Sequence, residues 1–157
     1  MAGIQVRRLR EDDTEPVFDL RATTRENAVS RERLAELGVT PASVAEALAR
    51  GETRGWVVGS GSRIAGFCIA HAARGEVLVL AVRPDFEGFG IGRALLSHAV
   101  EWLRTFAPAR IWLGASDDPR TRSHGFYRSL GWRPTGERDG HGDEVLVLQE
   151  PGTRSRS

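Results

Sequence analysis

The chain of 157 residues predicts one mixed α/β domain, and three observations carry that reading. Its length is enough for a single hydrophobic core and too short for two ordinary domains. Charged residues make up 27% and hydrophobic residues 40%, close to the globular average, so neither a disordered nor a fibrous chain is indicated. Short strand patterns alternate with longer stretches of helical period in the order β-α-α-β-β-β-α-β-α-β-β, without an internal repeat or a linker. Residues 1–150 are read as that domain, and "PGTRSRS", 151–157, as a flexible tail.

Ile4 to Arg10 alternates apolar and basic residues, as a strand with one solvated face does. Asp13 or Thr14 can cap a helix that has Pro16 in its first turn and runs to about Ser30. Thr40 followed by Pro41 marks a second helix start, and Gly51 its end. Trp56–Val58 and Arg63–His71 read as strands joined across "GSGS", a hairpin signal. Gly75 opens a new element. Val77–Val82, "VLVLAV", is apolar without alternation, the pattern of a central strand covered on both faces. Gly90 to Phe106 reads as a helix with Leu95, Leu96, Ala99, Val100 and Leu103 on one face and Pro108 beyond its end. Ile111–Leu113 is a further buried strand and Pro119–Leu130 a short helix. Trp132–Arg138 and Glu144–Gln149 form a final antiparallel pair across "DGHG".

Composition removes several classes of function. A net charge of +1, from 22 basic and 21 acidic residues, gives no electrostatic reason to expect a nucleic acid or an anionic membrane as partner. Every basic residue is arginine, which excludes a lysine-dependent phosphate loop and any lysine nucleophile. Cys68, alone in the chain, can form neither an internal disulfide nor a cysteine-rich metal site. His71, His98, His124 and His141 are scattered without ligand spacing, so no metal site is predicted. A reducing, cytoplasmic compartment is the expectation. The opening "MAGIQVRRLREDD" has no apolar h-region and no run approaches 18 apolar residues, so neither a signal peptide nor a membrane span is expected.

The densest signal is "FEGFGIGRALL", Phe86 to Leu96, which places three glycines at alternate positions between a buried strand and a helix start. Helix N-termini leave backbone N–H groups unpaired and carry partial positive charge, so a glycine loop there can cradle a phosphate. Such a turn can also merely serve tight helix–sheet packing, and the loop alone leaves both readings open. A dinucleotide fingerprint fails on spacing, because Arg93 or Leu95 falls where its last glycine or alanine belongs.

Glu87-Gly88-Phe89-Gly90-Ile91-Gly92, on the end of "VLVLAVRPD", resembles motif A of the acetyl-CoA-dependent N-acetyltransferase superfamily, GNAT: Gln or Arg, two residues, Gly, one residue, Gly or Ala. "GFYRSLGW", Gly125 to Trp132, resembles the family's "FYxxxGF" segment, and the two motifs occur in the family's order with a strand between them. The resemblance covers about Ile4 to Gln149, although Arg21 to Gly51 carries no motif. It implies a splayed, mixed and mostly antiparallel sheet flanked by helices, with pantetheine between the parting strands Val77–Val82 and Ile111–Leu113. It also implies acetyl-CoA as co-substrate, with Val82, Gly88, Phe89, Gly90, Ile91, Gly92 and Arg93 as its contacts.

The activity implied is transfer of acetyl from acetyl-CoA to a primary amine of a small molecule or peptide, by direct attack in a ternary complex. A non-catalytic acyl-CoA sensor or interaction module on the same fold is the alternative. Tyr127 matches the family's tyrosine near the thioester sulfur, and a phenol of pKa ~10 keeps a proton to donate at neutral pH. A buried aromatic with one hydrogen bond is the plain alternative for it. Glu76 lies eleven residues before the motif's first position, as the glutamate base of some members does, provided that the strand between has no bulge. Otherwise it is a charge at a strand entry, and water relayed by backbone groups takes the proton. His124 is a weaker candidate base.

Two positions depart from the family's pattern. Glu87 replaces Gln or Arg, and its carboxylate is expected to point into solvent, where screening limits repulsion of diphosphate. Arg120 and Ser123 stand where many members have Asn and Ala. Arg25, Glu26 and Asn27 fall in the segment that covers the acceptor in the family and are the expected acceptor contacts. Cys68 is expected to pack as a small hydrophobe and not to carry an acetyl group. A homodimer is compatible with the sequence, which carries no signature for it.

Overall fold

Alternate residues of one strand already divide the molecule into layers. In Gly66–His71, Phe67 and Ile69 join a buried cluster with Leu9, Val17, Phe18, Leu20 and Val57, whereas Cys68 and Ala70 join one with Leu95, Leu96, Ala99, Leu103 and Trp132. Successive strand side chains point to opposite faces, so both faces of this strand are buried and helices must lie on both sides. The computed structural model describes residues 4–23, 31–59 and 63–149, without the side chain of Arg31.

The elements are β1 (Arg7–Arg8), α1 (Thr14–Arg21), α2 (Arg31–Glu36), α3 (Pro41–Arg50), β2 (Thr53–Val58), β3 (Gly66–His71), β4 (Glu76–Val82), α4 (Ile91–Arg104), β5 (Trp112–Ala115), α5 (Arg122–Ser129), β6 (Trp132–Arg138) and β7 (Glu144–Leu148). They form an open seven-stranded sheet in the order β1-β2-β3-β4-β5-β7-β6. All neighbours are antiparallel except β4 and β5. Helix α4 packs against β2, β3 and β4, whereas α1 and α3 pack on each other and on strands of the opposite face.

Helix α4 takes its place because Leu95, Leu96, Ala99, Val100 and Leu103, at helical spacing, are all buried. Each such leucine contributes about 1.5–3 kcal/mol by leaving water. Thr40 and Ser43 form a reciprocal capping box at the start of α3, with Pro41 at its first position, as the sequence predicts.

Four expectations are corrected. The first strand shrinks to Arg7–Arg8, because the Arg10 N–H turns to Asp13 Oδ2 at 2.7 Å and starts a 3-10 turn. The first helix ends at Arg21 rather than Ser30: the Thr23 hydroxyl bonds the Leu20 carbonyl at 2.9 Å, offering the backbone an alternative to the helix. A separate α2 follows, which the sequence reading did not distinguish. The helix expected from Pro119 begins at Arg122, since Asp118 first gathers the Arg120 N–H and, through its carbonyl, the Thr121 hydroxyl.

Candidate functional site

The loop between β4 and α4 is built by two glycines with left-handed backbone. Gly88 has φ +87° and Gly90 φ +86°, a region that a side chain disfavours. A Cβ on Gly88 would meet nothing within 4 Å, and on Gly90 only Ile4 Cδ1 at 3.7 Å. Packing is therefore not what demands glycine here; backbone conformation is. Gly90 caps α4 without any side-chain hydrogen bond. The Ala94 N–H reaches back to the Gly90 carbonyl at 3.1 Å, so the amides of Ile91, Gly92 and Arg93 precede the helix's first turn of bonds. Together with the dipole of a 14-residue helix they can take an anion.

The residues around this loop divide by exposure. Ile91 is buried in the core, whereas Phe89 is 68% exposed and Arg93 lies on the surface. Gly92 lies between Val82 and α5: a Cβ there would be 3.5 Å from the Phe126 ring and 3.6 Å from Val82 Cγ2. Glu87 does not point freely into solvent, contrary to expectation. Its side chain is only 16% exposed and pairs with Arg122 Nε at 3.4 Å, at the first residue of α5. Nothing in the sequence announces that pair, which is made across space between two motifs.

Strands β4 and β5 meet at one end only. Glu76 and Trp112 are paired, and the Trp112 N–H donates to the Gly75 carbonyl at 3.0 Å. Beyond that, β4 follows β3 alone and contains a bulge: Val77 faces Ala70 and Val79 faces Ile69, which leaves Leu78 unpaired and 43% exposed. Two sequence readings change as a result. The strand is not covered on both faces throughout, and the eleven residues from Glu76 to Glu87 do not follow an unbroken pleat.

Glu76 therefore stands on its surroundings and not on the count. Its side chain is 14% exposed and 3.5 Å from Arg74. Burial pushes its carboxyl above the usual range, with Arg74 opposing and Asp139 adding to the rise. Asp139 approaches the sheet closely: a Cβ on Gly114 of β5 would collide with its Oδ2 and touch Asp143 Cβ at 3.5 Å. Asp139 Oδ1 accepts the N–H groups of His141 at 2.8 Å and Asp143 at 3.0 Å. The Asp143 carboxyl is also raised, by burial first and then by Asp139.

Tyr127 is 8% exposed, with Phe126 and Trp132 edge-on at centroid distances of 5.1 and 6.1 Å. Burial pushes its phenol upward, Cys68 adds to this, and the Arg21 guanidinium opposes. Its hydroxyl makes no hydrogen bond to another described residue. Cys68 is wholly buried and its thiol is pushed upward by burial, so it lacks thiolate character. His124 lies on the Asp118 side of α5 and lends that carboxylate a minor favourable charge. Arg21, Asp139 and Asp143 are neighbours the sequence reading missed. Arg25, Glu26 and Asn27 lie outside the described residues.

The model of the acetyltransferase (GNAT) family matches residues 14–132. The chain belongs to that family. A relative, the ribosomal protein bS18 alanine N-acetyltransferase of Salmonella typhimurium, is 30% identical over 96 residues, covering 54% of this chain and 63% of the relative. The chain thus spans less than two thirds of that protein's length. The PaiA N-acetyltransferase of Thermoplasma acidophilum, solved with coenzyme A, superposes with a TM-score of 0.75 at 17% identity, over 95% of this chain and 100% of that one. YncA of Salmonella typhimurium, a putative acetyltransferase solved with acetyl-CoA, gives 0.67 at 17% identity, over 99% and 100%. At such identities these two carry the fold.

Acetyl-CoA is the typical co-substrate of the GNAT family, and the residues present fit that molecule. The uncapped amides ahead of α4 suit a diphosphate, and the parting of β4 from β5 leaves backbone on two sides for an extended amide chain. Among the described residues no cluster of His, Cys, Asp and Glu could hold a metal ion, and no helix is long and apolar enough to cross a membrane.

Proposed function

We propose that the protein moves the acetyl group of acetyl-CoA to a primary amine of a small molecule or peptide, by direct attack within a ternary complex. The observation that carries this is Tyr127, nine-tenths buried, with a hydroxyl that no described residue engages and a phenol held protonated by its surroundings. Gly88, Gly90 and the amides of Ile91, Gly92 and Arg93 hold the diphosphate, with Phe89 and Val82 beside the bound chain. Acetyl-CoA supplies an activated thioester. Glu76 takes the proton that an alkylammonium of pKa ~10 must lose before its nitrogen can attack, and a raised carboxyl suits it better than an ordinary one. As the C–N bond forms and the C–S bond breaks, Tyr127 gives its proton to the departing sulfur, and the second proton that the nitrogen sheds on becoming an amide restores the phenol by way of solvent. Cys68 plays no covalent part, since its thiol is buried.

The relative that acts on an alanine of a ribosomal protein supports keeping peptide N-termini among the acceptors. Arg25, Glu26 and Asn27 remain our proposed acceptor contacts. The test is release of free CoA on mixing acetyl-CoA with a panel of amines, amino acids, polyamines and peptides. With the accepted amine, Tyr127→Phe should lower turnover by roughly 10²–10³-fold while acetyl-CoA affinity changes little. Unchanged turnover would remove Tyr127 from the mechanism.

A further inference from the structure

Arg122 and Phe126 stand four residues apart on α5 and so share one face of that helix. Arg122 meets the loop that precedes α4, and Phe126 meets the first turn of α4 itself. Arg122 pairs with Glu87, and the Phe126 ring lies 3.5 Å from where a Cβ on Gly92 would be. Helix α5 therefore docks through a charged contact on the loop and an apolar one on the first turn of α4. Tyr127 follows Phe126 directly and is packed against it. Glu87 is held down at 16% exposure although Gly88, Phe89 and Gly90, which follow it, are exposed.

We propose that Glu87 and Arg122 are positioning residues whose ion pair, with Phe126 on Gly92, forms a joint through which the acetyl-CoA loop sets the place of α5 and hence of Tyr127. This rests on the reading of that loop as the diphosphate site. Arg122 also offsets a carboxylate that would otherwise repel the diphosphate. The two roles of Glu87 then oppose each other. Removing its charge relieves repulsion, so binding should not weaken, yet the joint loosens, so turnover should fall. A residue that only bound the ligand would move affinity and leave kcat alone, and one that only supported folding would lower both.

Glu87→Gln, Arg122→Gln, Arg122→Glu and the exchanged pair Glu87→Arg/Arg122→Glu test this, with thermal melting to confirm that each variant is folded. Affinity for CoA is measured by calorimetry, and kcat and KM with the accepted amine. The chain contains a single tyrosine, so carbon-13 labelling of tyrosine reports Tyr127 alone by NMR, with CoA and without turnover. Glu87→Gln should bind CoA equally or up to about tenfold more tightly while kcat falls about three- to tenfold. The Tyr127 signal should shift on CoA addition in the unaltered protein and broaden or shift differently in this variant. Arg122→Gln should lose both affinity and kcat, and the exchanged pair should recover kcat relative to Arg122→Glu. Glu87→Gln with unaltered kcat and an unaltered Tyr127 response, or an exchanged pair no better than Arg122→Glu, would overturn the joint alone. An unaltered protein that binds no CoA would overturn the joint together with the reading it rests on.

Discussion

Asp13 shows how much one side chain can hold at the start of this fold. Its carboxylate is nearly buried, at 4% exposure, and accepts two Arg7 hydrogen bonds at 2.9 Å and the Arg10 N–H at 2.7 Å. The Arg7 hydrogen bonds hold its carboxyl below the usual range, against the opposing effect of burial. Asp13→Asn leaves a guanidinium without its partner and should cost about 2–3 kcal/mol at pH 7. Because the folded carboxyl is depressed, that stabilisation is complete above about pH 4, the unfolded value, and disappears as the pH falls through the folded one. Urea titrations of both proteins at pH 7 and in acid should show the gap closing. Glu76 is shifted the other way, by burial, so its ionised, base-competent form accumulates at a higher pH than an ordinary carboxylate. Glu76→Gln should lower the rate and remove the limb of the pH–rate profile that rises toward neutrality, measured with one acceptor throughout. An identical profile would leave Glu76 as a charge at a strand entry.

At the scale of elements, the loop and α4 were legible because glycine spacing and a 3.6-residue apolar period are local signals. Gly90 adopts φ +86° with little within reach of an added Cβ, so Gly90→Val strains the backbone that aims the amides without disturbing the core. Acetyl-CoA affinity should fall by more than about a hundredfold in a protein that still folds, as calorimetry and circular dichroism would show. Intact affinity would mean that the loop serves only to launch the helix. The bulge at Leu78 was not legible, since "VLVLAV" looks the same whether or not one residue loses its partner on β3. The early end of α1 was missed for a related reason: Thr23 can continue a helix or close it, and its bond to the Leu20 carbonyl decides.

Across the whole molecule, the order of elements agrees with the sequence reading except for the added α2, because each strand or helix buries its own periodic face, and the sheet parts where the resemblance to the GNAT family implies. What the sequence concealed lies where distant segments meet: Arg122 on Glu87, and Asp139 over Gly114 beside Glu76. Each is a contact between residues whose neighbours in sequence give no reason to look for the other. Cys68 illustrates the opposite case, a residue whose placement followed from its strand, and its enclosure has a practical side. With the chain's one thiol inaccessible between β3 and α4, a thiol-reactive dye mixed with the native protein counts only liberated CoA, and it labels the protein itself only when the core opens. The same reagent is thus a clock for turnover while the fold persists and a clock for its loss.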